Sequence, residues 1–170
     1  MYVHEFQAKE LLRAYGVNVL KGFSIKSADE VELNYDNIGT PDKVVKAQIL
    51  AGGRGKAGGI RIVTSIEEAK QATEAFLGSK LVTHQTGPNG QIIKTVYIEE
   101  ACEIARELYL SIMVDRVNSD IAIIASASGG MEIEAVAKAT PEAVVKVKIN
   151  PLLGIKPFRY IQLAKYIHLD

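Results

Sequence analysis

The stretch Lys46-Ala-Gln-Ile-Leu-Ala-Gly-Gly-Arg-Gly-Lys-Ala-Gly-Gly59 constrains this chain most, because an apolar run carrying one lysine opens into five glycines interleaved with two cations. Before the glycines, Val44, Val45, Ala47, Ile49 and Leu50 have the β-branched, apolar character of a buried strand. Alternation along that strand puts Val44, Lys46 and Gln48 on one face. After the glycines, Ile60-Arg-Ile-Val63 alternates again, so the glycines join two strands as a pliant flap. Gly52, Gly53, Gly55, Gly58 and Gly59 allow close backbone approach, and their N–H groups, with Arg54 and Lys56, suit a polyanion.

Gly53-x-Gly55-x-x-Gly58 also matches the dinucleotide-binding fingerprint. That fingerprint requires a helix opening at its third glycine to receive pyrophosphate, whereas here a strand pattern follows and the next helix signal waits until Ser65. A phosphate-cradling P-loop fails as well, because Ala57 follows Gly55-Lys56 and position 50 is leucine.

The rest of the chain supports this centre. Ala8, Leu11, Leu12 and Tyr15 fall at helical spacing, with Gly16 at the C-cap, and predict a helix over 4–15. Val17 to Ile25 reads as a short strand region, and Ser27-Ala-Asp-Glu30 as a capping box opening a helix towards Tyr35. Ser65-Ile-Glu-Glu68 is a second capping box, with Ala69, Ala72, Phe76 and Leu77 on the apolar face of its helix. Leu81–Thr86 and Ile92–Ile98 flank Gly87-Pro-Asn-Gly90 and predict a hairpin. Further on, 107–117 and 120–126 read as strands joined at Asn118-Ser119, followed by a glycine bend with acids over 126–134. A strand over 144–150 and an amphipathic helix over 158–167 complete the pattern.

Composition narrows the function classes. Twenty basic and twenty acidic residues cancel, so no overall field argues for nucleic acid or a membrane surface. The apolar runs reach only about five residues, far short of a bilayer span. Cys102 is the single cysteine, which excludes an internal disulfide and fits a reducing compartment. With no leader pattern at the N-terminus, the expectation is a cytoplasmic protein. His4, His84 and His168 stand singly, without metal-ligand spacing.

A lysine on a strand, a cationic glycine flap, the acidic segment Tyr97-Ile-Glu-Glu-Ala-Cys102 and a further acid at Glu107 follow the order of a nucleotide clamp. At this point the chain resembles the β subunits of ADP-forming succinyl-CoA synthetases along all 170 residues. The resemblance is carried by His4-Glu-Phe-Gln-Ala-Lys9, Val44-Val-Lys-Ala-Gln48, the stretch 51–59, Leu81-Val-Thr-His-Gln-Thr86, Glu107-Leu-Tyr-Leu110 and Gly129-Gly-Met-Glu-Ile-Glu134. It implies an α+β ATP-grasp fold of two lobes with mainly antiparallel sheets, cut short at its C-terminal end. One lobe would span 21–100, and the other 1–20 with 103–170.

The same resemblance implies a nucleotide site. Lys46 would contact the phosphates, Gly53, Arg54 and Gly55 would close over them, Glu99 to Cys102 would line the base edge, and Glu107 would accept from the ribose hydroxyls. It further implies ATP or GTP with Mg²⁺, the Mg²⁺ ligands and a CoA-ligase domain lying beyond residue 170. An α subunit carrying the phosphorylated histidine would be the partner, with succinate and CoA as substrates, and the fragment alone would not complete a turnover. A malate–CoA ligase shares the clamp, and a non-catalytic module that docks the α subunit remains an alternative for the chain by itself.

Overall fold

A computed structural model describes residues 2–169. The chain divides into two compact units, Met1–Cys102 and Glu103–Asp170. The first holds helix α1 (Glu5–Ala14), strand β1 (Gly22–Ile25), helix α2 (Glu30–Asn34), strands β2 (Lys43–Gln48) and β3 (Ile60–Val63), and helix α3 (Ile66–Phe76). The short strands β4 (Lys80–Leu81) and β5 (Gln91–Ile92) and the longer β6 (Thr95–Glu100) follow. The main sheet has the order β1-β6-β2-β3, with every pair antiparallel.

The period of two along its strands gives this sheet two chemically different faces. Val45 and Ala47 of β2, Val96 and Ile98 of β6, Ile25 of β1 and Val63 of β3 form the apolar face. They pack with Val31 of α2 and Ala69, Ala72 and Phe76 of α3 into one core. Ser65 Oγ caps α3 by accepting from Glu68 N at 3.1 Å, and Glu68 reaches back to Thr64 N at 2.8 Å, which fixes where that helix meets the sheet. The opposite face carries Val44, Lys46 and Gln48 of β2 and Thr95, Tyr97 and Glu99 of β6. Register sets Lys46 opposite Tyr97 and Val44 opposite Glu99.

Helix α1 lies on that polar face, so of the described residues 2–20 belong with the first unit rather than with 103–169. The helix is turned differently from its apolar spacing, since Leu11, Leu12 and Tyr15 are 52%, 46% and 86% exposed. Glu5, Phe6 and Lys9 face the sheet instead, because the surface offered to them is itself charged and aromatic. Two further expectations shorten. The helix after Ser27 runs only from Glu30 to Asn34 before a 3-10 turn at Tyr35–Asn37, and the 81–98 hairpin pairs only β4 with β5. Thr83 and Thr86 fold its intervening segment into a turn, with Thr86 Oγ1 accepting from Thr83 N at 2.9 Å.

The second unit is a three-stranded antiparallel sheet, β7 (Tyr109–Asp115), β8 (Asp120–Ser126) and β9 (Val145–Ile149), with β8 central. Helix α5 (Pro157–Tyr166) covers one face through Leu163, against Ile123, Ala125, Val147 and Ile149. The β7–β8 turn is tied by Asp115, whose carboxylate accepts from Asn118 Nδ2 and Lys146 Nζ, both at 3.0 Å. The Lys146 and Asn118 hydrogen bonds hold that carboxyl down to about 2. Helix α4 (Ile133–Ala139) was not expected from the sequence, where the segment reads as a glycine bend followed by acids. Among the described residues no helix is long and apolar enough to cross a membrane.

Candidate functional site

Lys46 leaves β2 on the polar face, diagonal to Glu99 on the neighbouring β6, which is within side-chain reach on an antiparallel pair. Its ammonium forms an ion pair with Glu99, whose side chain is 1% exposed, and reaches Glu5 Oε1 of α1 at 3.3 Å. Lys9, one turn after Glu5, pairs with the other oxygen of Glu99 and lies 3.3 Å from Glu5 Oε1. Burying a carboxylate without partners is costly, and two ammonium groups pair with this one.

The flap enters the same cluster. Gly59 O accepts from Ala47 N at 2.8 Å, which closes the β2–β3 connection, and Gly59 N donates to Arg54 O at 2.8 Å. The glycines thus fold into a compact loop whose turns bring Arg54 back over the strand that it left. Its guanidinium donates through Nη1 to Ala47 O at 2.9 Å and through Nη2 to Glu5 Oε2 at 2.5 Å. At Gly53 the backbone has φ +75°, and a Cβ there would meet the His84 ring at 2.8 Å. Glycine is therefore required at Gly53 on two counts, conformation and space. Strand β3 begins directly after Gly59, so the helix that a dinucleotide fingerprint demands is replaced by a strand.

Glu5 carries the balance of this electrostatics. Burial raises its pKa, but the charges of Lys46 and Arg54, the Arg54 hydrogen bond and the charge of Lys9 outweigh that and bring it to about 2. Three cations thus surround two carboxylates, leaving one positive charge in excess at neutral pH. Nearby, Tyr97 stacks on Phe6 at 6.4 Å between ring centroids, and Lys9 lies 5.5 Å from the Tyr97 ring centre. Burial pushes the Tyr97 phenol up, and the Glu99 charge adds to that.

Of the residues singled out in the sequence, Lys46, Arg54 and Glu99 come together, with Gly53 and Gly55 in the loop that returns Arg54. Cys102 is exposed in the segment after β6, where Ala101 N donates to Asp42 O at 3.2 Å. Glu107 lies in the second unit. Its carbonyl accepts from Gly129 N at 2.9 Å, and its carboxylate lies against Gly130. Glu5 and Lys9 enter the site without a role legible in the sequence. Their spacing of four on a helix was the available signal, obscured by the apolar residues that follow. Among the described residues no group of three or more His, Cys, Asp or Glu could hold a metal, and Glu5 and Glu99 are already matched by cations. This cluster fits polyphosphate and does not fit Mg²⁺.

The profile of the ATP-grasp domain family matches residues 2–170. The chain belongs to the ATP-grasp family. Its curated relatives include the proteins named succinate–CoA ligase [ADP-forming] subunit beta of Exiguobacterium sibiricum and Bacillus subtilis. The first is 49% identical over 164 residues, spanning 96% of this chain and 42% of the relative. The second is 46% identical over 169 residues, spanning 99% and 44%. The chain thus spans less than half the length of these relatives. Among solved structures, ATP citrate lyase from Methanothrix soehngenii, in complex with citrate and coenzyme A, superposes with a TM-score of 0.67 at 21% identity. It covers 91% of this chain and 36% of that one. A dinucleotide-forming acetyl-coenzyme A synthetase from Ca. Korarchaeum cryptofilum gives 0.68 at 20%, covering 96% and 65%. At that identity these two matches bear on the ATP-grasp fold alone.

Proposed function

We propose that this chain is the nucleotide-clamping part of an ADP-forming succinate–CoA ligase β subunit. The observation that carries the reading is the convergence of the strand-borne Lys46 ammonium and the flap-borne Arg54 guanidinium on one carboxylate, Glu5. Two cations that each take one oxygen of the same carboxylate, one on a rigid strand and one on a pliant loop, are spaced to share phosphate oxygens. The ATP-grasp match and the names of the curated relatives support the choice of ATP and of acid–CoA ligation.

In this reading Lys46 and Arg54 bind the phosphates, and the backbone N–H groups around Gly53 and Gly55 close over them. The segment Glu99 to Cys102 presents its backbone to the base edge, while the Glu99 carboxylate holds Lys46 and Lys9 in place. Glu107 accepts from the ribose hydroxyls. Phosphoryl transfer asks of such a site positioning and charge neutralisation rather than covalent chemistry. The complete enzyme would couple ATP to succinyl-CoA formation through a phosphohistidine on an α subunit, in the cytoplasm, with Mg²⁺ held by residues outside this cluster.

Calorimetric titration of the chain with ATP and Mg²⁺, beside the Lys46→Met variant, tests the proposal. Saturable binding is expected, weakened about ten-fold or more by the substitution because a charge-assisted phosphate contact is lost. Equal affinity in the two proteins, or no binding by the unaltered chain, would reject the site.

A further inference from the structure

We infer that Glu5 is an internal counter-ion occupying the phosphate position of the nucleotide-free site, and that an incoming polyphosphate displaces it and takes over its hold on Arg54 of the flap. The inference rests on the nucleotide-clamp reading and adds to it a residue of α1 that sets how tightly the phosphates bind.

The two carboxylates of the cluster differ in how firmly they are held. Glu99 sits within β6 with its side chain 1% exposed beneath α1, paired on either oxygen by Lys46 and Lys9. Glu5 is the first residue of α1, with its side chain 22% exposed, so a change of rotamer takes its carboxylate into water. Its oxygens divide between the two proposed phosphate ligands, Oε1 at 3.3 Å from Lys46 Nζ and Oε2 at 2.5 Å from Arg54 Nη2. A phosphate oxygen bridging the same two cations would have to occupy that space. Two anions cannot share it without strong repulsion.

The charge balance points the same way. With Glu5 in place the cluster carries one excess positive charge, and with Glu5 withdrawn it carries two, which a polyphosphate offsets. Glu5 is also the side chain through which Arg54 ties the flap to α1, since the other guanidinium bond returns to the flap's own strand at Ala47. Displacement of Glu5 therefore passes the Arg54 end of the flap from α1 to the phosphate, while Gly52 N, donating to Gln85 Oε1 at 2.6 Å, still holds the base of the flap. A counter-ion of this kind lowers affinity, because its ion pairs must be broken before the ligand's form.

The experiment uses the 170-residue chain, its Glu5→Gln and Glu5→Asp variants and inorganic tripolyphosphate. Ligand-free tryptic cleavage at Arg54 and Lys56 reports the flap, and calorimetry reports affinity. Glu5→Gln keeps the size of the side chain and removes its charge. It is expected to speed ligand-free cleavage and to tighten tripolyphosphate binding about five- to ten-fold, the worth of one partly exposed ion pair. Glu5→Asp, with a shorter reach and the charge retained, is expected to fall between, and it decides the question if Glu5→Gln does not fold. Affinity unchanged or weakened in the folded variants overturns the inference, and so does unchanged cleavage. If the unaltered chain binds neither tripolyphosphate nor ATP, the clamp reading fails, while cleavage in the absence of ligand still judges the latch by itself.

Discussion

The Lys46 ammonium and the Glu99 carboxylate are ion-paired on the polar face of a four-stranded sheet, diagonal to one another on adjacent antiparallel strands, with Glu99 almost wholly shielded from water. Their pairing makes Lys46 structural as well as a proposed phosphate ligand. Lys46→Met leaves Glu99 with Lys9 as its remaining cation, and we expect a loss of ~1–3 kcal/mol in unfolding free energy, below the cost of a wholly orphaned buried charge. The double variant Lys46→Met/Glu99→Gln should recover part of that stability without recovering tripolyphosphate binding. Urea unfolding beside calorimetry on the four proteins of the cycle checks both halves, and a double variant no more stable than Lys46→Met would show the pair to be uncoupled.

Acid should unfold the first unit through Glu5. Its folded-state pKa of about 2 lies below the ordinary 4.5, so the unfolded chain takes up the proton first as pH falls. Its contribution is therefore complete above about pH 4.5 and is lost progressively towards pH 2. With allowance for water on its exposed side we expect about 2 kcal/mol from this group. Urea midpoints measured at pH 7, 4 and 3 should fall less steeply in Glu5→Gln than in the unaltered chain. Parallel profiles would remove Glu5 as the source.

Why Lys46 was legible in the sequence and Glu5 was not follows from the kind of information each needs. Strand alternation over Val44, Val45 and Ala47 fixes the face of Lys46 from local residues alone, and the strand pattern of Ile60–Val63 likewise excludes a dinucleotide loop. The orientation of α1 depends on what the sheet offers. Leu11, Leu12 and Tyr15 define the apolar side of the helix, yet a surface bearing Lys46, Glu99 and Tyr97 takes the side with Glu5, Phe6 and Lys9. Helix α4 is illegible in the sequence for a local reason, since it is seven residues long and Glu132 at its start makes no side-chain cap. The short pairing of β4 with β5 is set by the Thr83–Thr86 turn, which alternation does not reveal.

In the second unit, Gly130 is the position at which a single methyl group should disturb Glu107. It has φ +68°, and a Cβ would fall 2.1 Å from Glu107 Oε2, whereas Gly154, at φ +66°, has nothing within 4 Å. Both alanine variants pay for the left-handed backbone, about 1 kcal/mol, and only Gly130→Ala adds the displacement of a carboxylate, for a total of ~1–3 kcal/mol. If Glu107 serves the ribose, Gly130→Ala should also weaken ATP more than tripolyphosphate, as Glu107→Gln should. Thermal unfolding and paired titrations check this. Equal weakening of the two ligands would separate Glu107 from the ribose.

Cys102 offers a chemical test of where the base lies. Its thiol is exposed in the segment directly after β6, and it is the only cysteine in the chain, so a maleimide reports on a single position. Access controls the rate of alkylation once pH fixes the thiolate fraction. If the base edge rests along Glu99 to Cys102, ATP should slow alkylation in proportion to its occupancy. Tripolyphosphate, which fills only the Lys46–Arg54 end, should leave the rate unchanged. Protection by both ligands would mean that flap closure rather than the base shields the thiol. Protection by neither, at concentrations that saturate calorimetric binding, would place the base elsewhere. Timed labelling followed by mass spectrometry resolves the three outcomes, and because the side chain takes no part in the ion-pair cluster, its modification reports on the base without disturbing the phosphate end.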